Sequence, residues 1–182
     1  LRKNKSNSCR TLYLGCLLSL DRETEFNQEY QELLDRKVCN ADIGGIIEHA
    51  NIIYKKKYES PFCNQTINYV FWDKINEDLF SNLELNQLIE YSKSSIKKNK
   101  SQGLLTNGSQ SSGDLFSLDY PFIKSIKQAL KLKIELYKRK FENSGQGFID
   151  KWPEKYELRS WIINMKNGGF LAPHNHEYGW IT

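Results

Sequence analysis

The apolar residues of this 182-residue chain change their spacing near Glu157, from about 3.6 residues per repeat to about 2. That switch constrains the fold more than any other feature. A helix buries residues three and four apart, whereas a strand buries alternate ones, so one pattern cannot serve as the other. The expectation is an α+β chain, helical through about Glu142, with its only substantial β-structure after Glu157.

Within the helical part, residues 1–37 read as a helical hairpin. Leu12, Cys16 and Leu20 recur at fourfold spacing, widened by Tyr13, Leu17 and Leu18, and are expected to be buried. A break at Asp21-Arg22 precedes a second helix with Phe26, Tyr30, Leu33 and Leu34 on its buried face, ending near Arg36-Lys37. Residues 38–150 read as a mainly helical region. Gly44-Gly45 breaks the chain there, and Ile46, Ile47, Ala50, Ile53 and Tyr54 follow at helical spacing up to Pro61. The run from Ile67 to Trp72 is open between a short strand and a helix start. Leu79 to Ile96 is amphipathic, and a longer helix follows Pro121 to about Glu142. Between them, residues 99–114 are the clearest loop, glycine-rich but without the Lys-Ser/Thr ending of a phosphate loop.

Composition narrows the classes of function. The net charge of +4 is carried by lysines interspersed with acids, with no basic face rich in aromatics, so no nucleic-acid partner is expected. No apolar run nears the roughly 20 residues of a membrane span, and no signal-peptide core follows Leu1-Arg2-Lys3. A cytoplasmic protein is expected, with no membrane partner. Cys9, Cys16, Cys39 and Cys63 contain no CxxC pair, and reduced thiols are the expectation. A first residue of Leu suggests that the native start lies upstream.

The chemistry-bearing stretch is residues 151–182. Glu157–Lys166 reads as a strand, Asn167-Gly168-Gly169 as a hairpin turn, and Phe170–Glu177 as a second strand. The second run carries His174 and His176. In a strand, residues i and i+2 share a face roughly 6.5–7 Å apart, so both imidazoles can reach one metal ion. Iron, copper, nickel and zinc all accept such ligands, and an exposed strand can also carry two histidines with no ligand. His49, isolated in a helical segment, reads as structural or surface.

The run Arg159-Ser160-Trp161, Lys166-Asn167-Gly168-Gly169-Phe170 and Pro173-His174-Asn175-His176-Glu177-Tyr178-Gly179-Trp180-Ile181 resembles the start of the core in a family of 2-oxoglutarate/Fe(II)-dependent oxygenases. The likeness covers residues 157–182. Family members often follow tetratricopeptide repeats, and Leu14-Gly15, Leu18 and the aromatic second helix are similar to a last such repeat. The resemblance implies a double-stranded β-helix, or jelly roll, of which residues 151–182 are an incomplete start. It also implies ferrous iron held by His174 and His176, 2-oxoglutarate as co-substrate, and hydroxylation of an unknown small-molecule or protein substrate. His176 stands where the wider superfamily has an acid, which leaves three histidine ligands, Glu177 as the acid, or a site without His176. A distal histidine and a basic residue for 2-oxoglutarate are expected beyond Thr182, so the chain alone is expected to be inactive. Two other classes stand beside this one: a non-catalytic helical-repeat protein that binds a partner and keeps a vestigial β-domain, and a metal enzyme with three histidine ligands and no 2-oxoglutarate.

Overall fold

The structure, a computed structural model, describes residues 7–95, 103–174, 176 and 179–182. They divide into two units. The first comprises residues 7–70, 141–153, 176 and 179–182, and the second residues 71–95, 103–140 and 154–174.

Three helices build the first unit: α1 (Asn7–Ser19), α2 (Glu23–Asp35) and α3 (Ala41–Tyr54). Asp21, at φ 53°, turns the chain between α1 and α2, and Glu23 and Glu25 place negative charge in the first turn of α2. Asn40 caps α3, its side-chain oxygen accepting from the Ile43 amide at 2.9 Å. Leu14, Leu17 and Leu18 of α1, Phe26 and Leu33 of α2, Val38, and Ile43, Ile47 and Ala50 of α3 form one core. Arg10 is buried beside them, with its guanidinium 2.7 Å from Glu29 and 2.5 Å from Glu32.

Two expectations fail here. Of the apolar stripe expected for the first helix, Leu17 and Leu18 are buried, but Leu12, Cys16 and Leu20 are not; Leu12 is 71% exposed and Leu20 66%. The helical repeat of α1 contains two rows, and the buried one is Leu14, Leu17 and Leu18 with Thr11 and Arg10. A charged residue could join that row because α2 supplies two carboxylates to Arg10. Gly44-Gly45 does not break the chain either, since α3 runs through both. The Asn40 cap sets the start upstream, and Gly44 packs so closely that a Cβ would lie 3.0 Å from a Phe62 ring carbon.

The open segment near Ile67 resolves as a 3₁₀ turn, Thr66–Tyr69. Tyr69 packs edge-on against Phe141 and Phe148, with centroids 5.1 and 5.2 Å away. Trp180 joins the same aromatic group through Phe62 and donates its indole N–H to the Phe148 carbonyl at 2.9 Å.

The second unit contains α4 (Asn82–Ser95), β1 (Leu105–Gln110), α5 (Pro121–Phe141) and β2 (Ile163–Leu171). α5 matches its expected span, with Lys138, Arg139 and Lys140 in the last turn, where positive charge suits the dipole. Phe122 and Ile123 pack with Leu115 and, partly buried, with Phe80, Leu88, Tyr91 and Ile162.

The sheet overturns two readings. Residues 99–114 are not simply a loop: their described part contains β1, which pairs antiparallel with β2. Asn167-Gly168-Gly169 is no hairpin turn, because β2 passes through it. Between the pairs Thr106–Phe170 and Gly108–Met165, Asn107 alone stands against Lys166–Gly169. This bulge uses positive φ on both strands, 49° at Asn107 and 73° at Gly168. Glu157–Ile162 is unladdered chain, tied where the Ser160 amide donates to Asp114 Oδ1 at 2.8 Å.

The chain is thus mixed α and β, helical with one two-stranded antiparallel sheet among the described residues. No helix of the described residues is long and apolar enough to cross a membrane.

Candidate functional site

β2 ends at Leu171, three residues before His174. The Ala172 amide donates to the Leu104 carbonyl at 2.8 Å, the last such contact before Pro173, which has no N–H to offer. The strand expected to place His174 and His176 on one face therefore stops short of both, and alternation along a strand does not position them.

His174 is exposed and belongs to the second unit. Its Nδ1 lies 2.9 Å from the Ala172 carbonyl oxygen, two residues back. A carbonyl only accepts, so in this contact Nδ1 is the donor. His176 is half-buried and belongs to the first unit, where its carbonyl accepts from the Gly179 amide at 2.9 Å. Glu177, the alternative acid, lies outside the described residues. His49 sits exposed on α3. Among the described residues, no three His, Cys, Asp or Glu side chains gather where they could hold a metal ion.

The four cysteines form no disulfide. Burial pushes the Cys63 thiol up to about 11, with Glu48 adding to the rise. Cys39 is also raised, first by burial, with Lys151 opposing and Asp150 reinforcing. Neither is the low-pKa thiolate that nucleophilic chemistry uses.

Sequence reasoning passed over a cleft of about 300 Å³ in the first unit, lined by Lys37, Cys39, Asn64, Gln146, Asp150 and Lys151 among others. Its walls come from segments far apart in the chain, and the only local signal was the polar, glycine-containing run Ser144–Gly147. Comparison with protein-family models, curated proteins and solved structures finds no match.

Proposed function

We propose that the segment around His174 is the metal-binding end of a non-haem iron, 2-oxoglutarate-dependent oxygenase whose core is a jelly roll. One observation carries the reading: the hydrogen bond from Nδ1 of His174 to the Ala172 carbonyl. Metal-binding histidines are commonly held this way, one nitrogen donating to a backbone carbonyl so that the other presents its lone pair. Exposure of the ring gives an ion access to it. His176 follows as second ligand from its place in the sequence, and the resemblance of residues 157–182 supplies the reaction class.

The fit to iron is partial. A stable catalytic site needs about three protein ligands to fix its geometry, and the described residues gather no such set. Bound iron and 2-oxoglutarate would supply oxidative hydroxylation, and the part assigned to His174 is to hold the metal through its imidazole. These 182 residues are expected to bind ferrous ion weakly and to form no succinate. Anaerobic titration with ferrous ion should show weak binding that His174→Ala abolishes, with the helical circular dichroism unchanged. Unchanged binding in that variant removes His174 from the site, and iron-dependent succinate formation by this chain places the chemistry elsewhere.

A second reading has its own support. The outward side of α1, with Leu12 71% exposed, Cys16 exposed and Leu20, just past its end, 66% exposed, is an apolar surface of the kind that helical-repeat proteins use for partners. Complete absence of ferrous ion binding would favour this non-catalytic interaction role.

A further inference from the structure

We propose that the cleft of the first unit is a binding site for a small anion with two or more acceptor oxygens, an inorganic phosphate or a short dicarboxylate. Its volume of about 300 Å³ stands at the small end of the usual range for ligand pockets. This inference is independent of the iron reading, which concerns other residues.

The hydrogen-bond inventory of the lining decides the ligand's chemistry. Asn64 spends its side chain on the Ser60 backbone: Oδ1 accepts from the Ser60 amide at 2.8 Å, and Nδ2 donates to the Ser60 carbonyl at 3.0 Å. Gln146 spends its acceptor as well, Oε1 receiving the Asn64 amide at 2.6 Å. That leaves the two N–H donors of Gln146 Nε2 without a partner among the described residues. Lys37 and Lys151 also line the cleft, and neither ammonium has an ion-pair partner among the described residues. The lining residues thus carry unused donors and two positive charges, while the side-chain amide acceptors among them are occupied. Only Asp150 adds a negative charge, so the charged side chains of the lining sum to +1.

The cleft is also a built feature. Gly147 lets its walls meet, since a Cβ there would lie 2.0 Å from the Pro61 carbonyl oxygen and 2.8 Å from Cys39 Sγ. The Phe148 amide donates to the Phe62 carbonyl at 2.8 Å, which fastens the segment from Gln146 to Lys151 against residues 60–64. A raised thiol pKa keeps Cys39 uncharged at neutral pH, so it does not compete with an incoming anion.

The test is isothermal titration of the full chain with inorganic phosphate and, separately, with malonate, each against chloride at matched ionic strength. Saturable one-to-one binding of phosphate alone assigns a tetrahedral oxyanion, and of malonate alone a dicarboxylate. Lys37→Gln and Lys151→Gln should each weaken binding by on the order of tenfold, because each removes a charged donor. Asp150→Asn should tighten it severalfold, a gain that misfolding cannot mimic. Lys131→Gln, on α5 in the other unit, should change nothing. Equal binding by wild type and the Lys37→Gln/Lys151→Gln double variant, or no saturable heat with either anion, overturns the proposal.

Discussion

The unit built on α1–α3 and the unit built on α5 and the β1–β2 pair bury apolar surface by different routes. In the first, nine buried side chains lie between Leu14 and Ala50, delivered by three consecutive helices. In the second, the buried cluster among the described residues is Leu115, Phe122 and Ile123, and the sheet must pair Leu105 with Leu171 across most of the unit's length. β2 leaves large side chains in solvent, Met165 at 48% and Phe170 at 56% exposure. Local contacts repay chain ordering as they form, whereas distant pairing must first close a long loop. The first unit should therefore be the better protected from local unfolding.

The largest test removes the ring at the centre of the helical core. Phe26 is fully buried and meets Tyr54 and Tyr58 edge-on at 5.5 Å, with Tyr30 stacked at 6.5 Å. Phe26→Ala should cost about 4 kcal/mol and remove hydrogen-exchange protection across α1–α3. Ile123→Ala should cost the second unit less, about 2–3 kcal/mol, because its partly exposed surroundings can settle into the space. Equal losses would break the contrast between the two cores.

Next in size is the buried charge. Arg10 is 3% exposed and Glu29 11%, so Arg10→Ala leaves a mostly buried carboxylate without its main partner. The loss should be about 3 kcal/mol by chemical denaturation. Replacing both residues with Met should recover most of it, since a packed apolar pair avoids desolvating two charges. No recovery would mean that the pair itself, not the avoidance of an orphan charge, supports the unit.

The same contrast explains what could be read from the sequence. α1, α2 and α5 were readable because apolar periodicity and, in α5, a basic last turn are local signals. The buried face of α1 was not, because Leu12-Cys16-Leu20 and Leu14-Leu17-Leu18 are both apolar rows and the carboxylates of α2 choose between them. β1 was unreadable for a stronger reason. Leu105-Thr106-Asn107-Gly108-Ser109-Gln110 has the composition of a turn, and only its distant partner makes it a strand. The histidine pair was visible as a motif, while its position past the end of β2 was signalled only by Pro173. The bond from His174 to the Ala172 carbonyl had no sequence signal.

A smaller effect tests the bulge. Gly168→Ala puts a side chain at φ 73° in open space, with Asn107 Nδ2 the nearest atom at 3.9 Å, so backbone strain alone is added. The loss should be about 1–2 kcal/mol, seen as faster amide exchange in β1 and β2. Gly168→Asn should lose less, because Asn tolerates the left-handed region. Identical losses would show that glycine serves there for something other than its backbone freedom.

The smallest effect separates the units by pH. In the second, Asp73 is held below its ordinary 3.8, first by the hydrogen bond from Lys133 at 2.6 Å and then by the Lys74 amide. Asp119 is lowered by Lys124, and Glu84 by Ser125 and Ser81. A depressed folded pKa contributes stability above the unfolded value, and that stability is lost as pH falls through the folded one. The first unit behaves oppositely. Burial raises Tyr30, Tyr54 and Tyr58 above 10.0 and Cys63 from 9.0 to about 11. These groups favour folding below their unfolded pKa values and withdraw that support as pH rises through the folded ones. Acidification below about pH 4 should therefore loosen the α5–sheet unit first, and pH above about 10 the helical unit. Trp72 and Trp161 report on the former and Trp152 and Trp180 on the latter, so variants keeping one pair can follow each limb by fluorescence. Asp73→Asn should flatten the acid limb slightly and leave the alkaline limb alone, because Asp73 is exposed and its contact with Lys133 is screened by solvent. An acid limb of unchanged slope would mean that the Lys133 contact contributes nothing to folding.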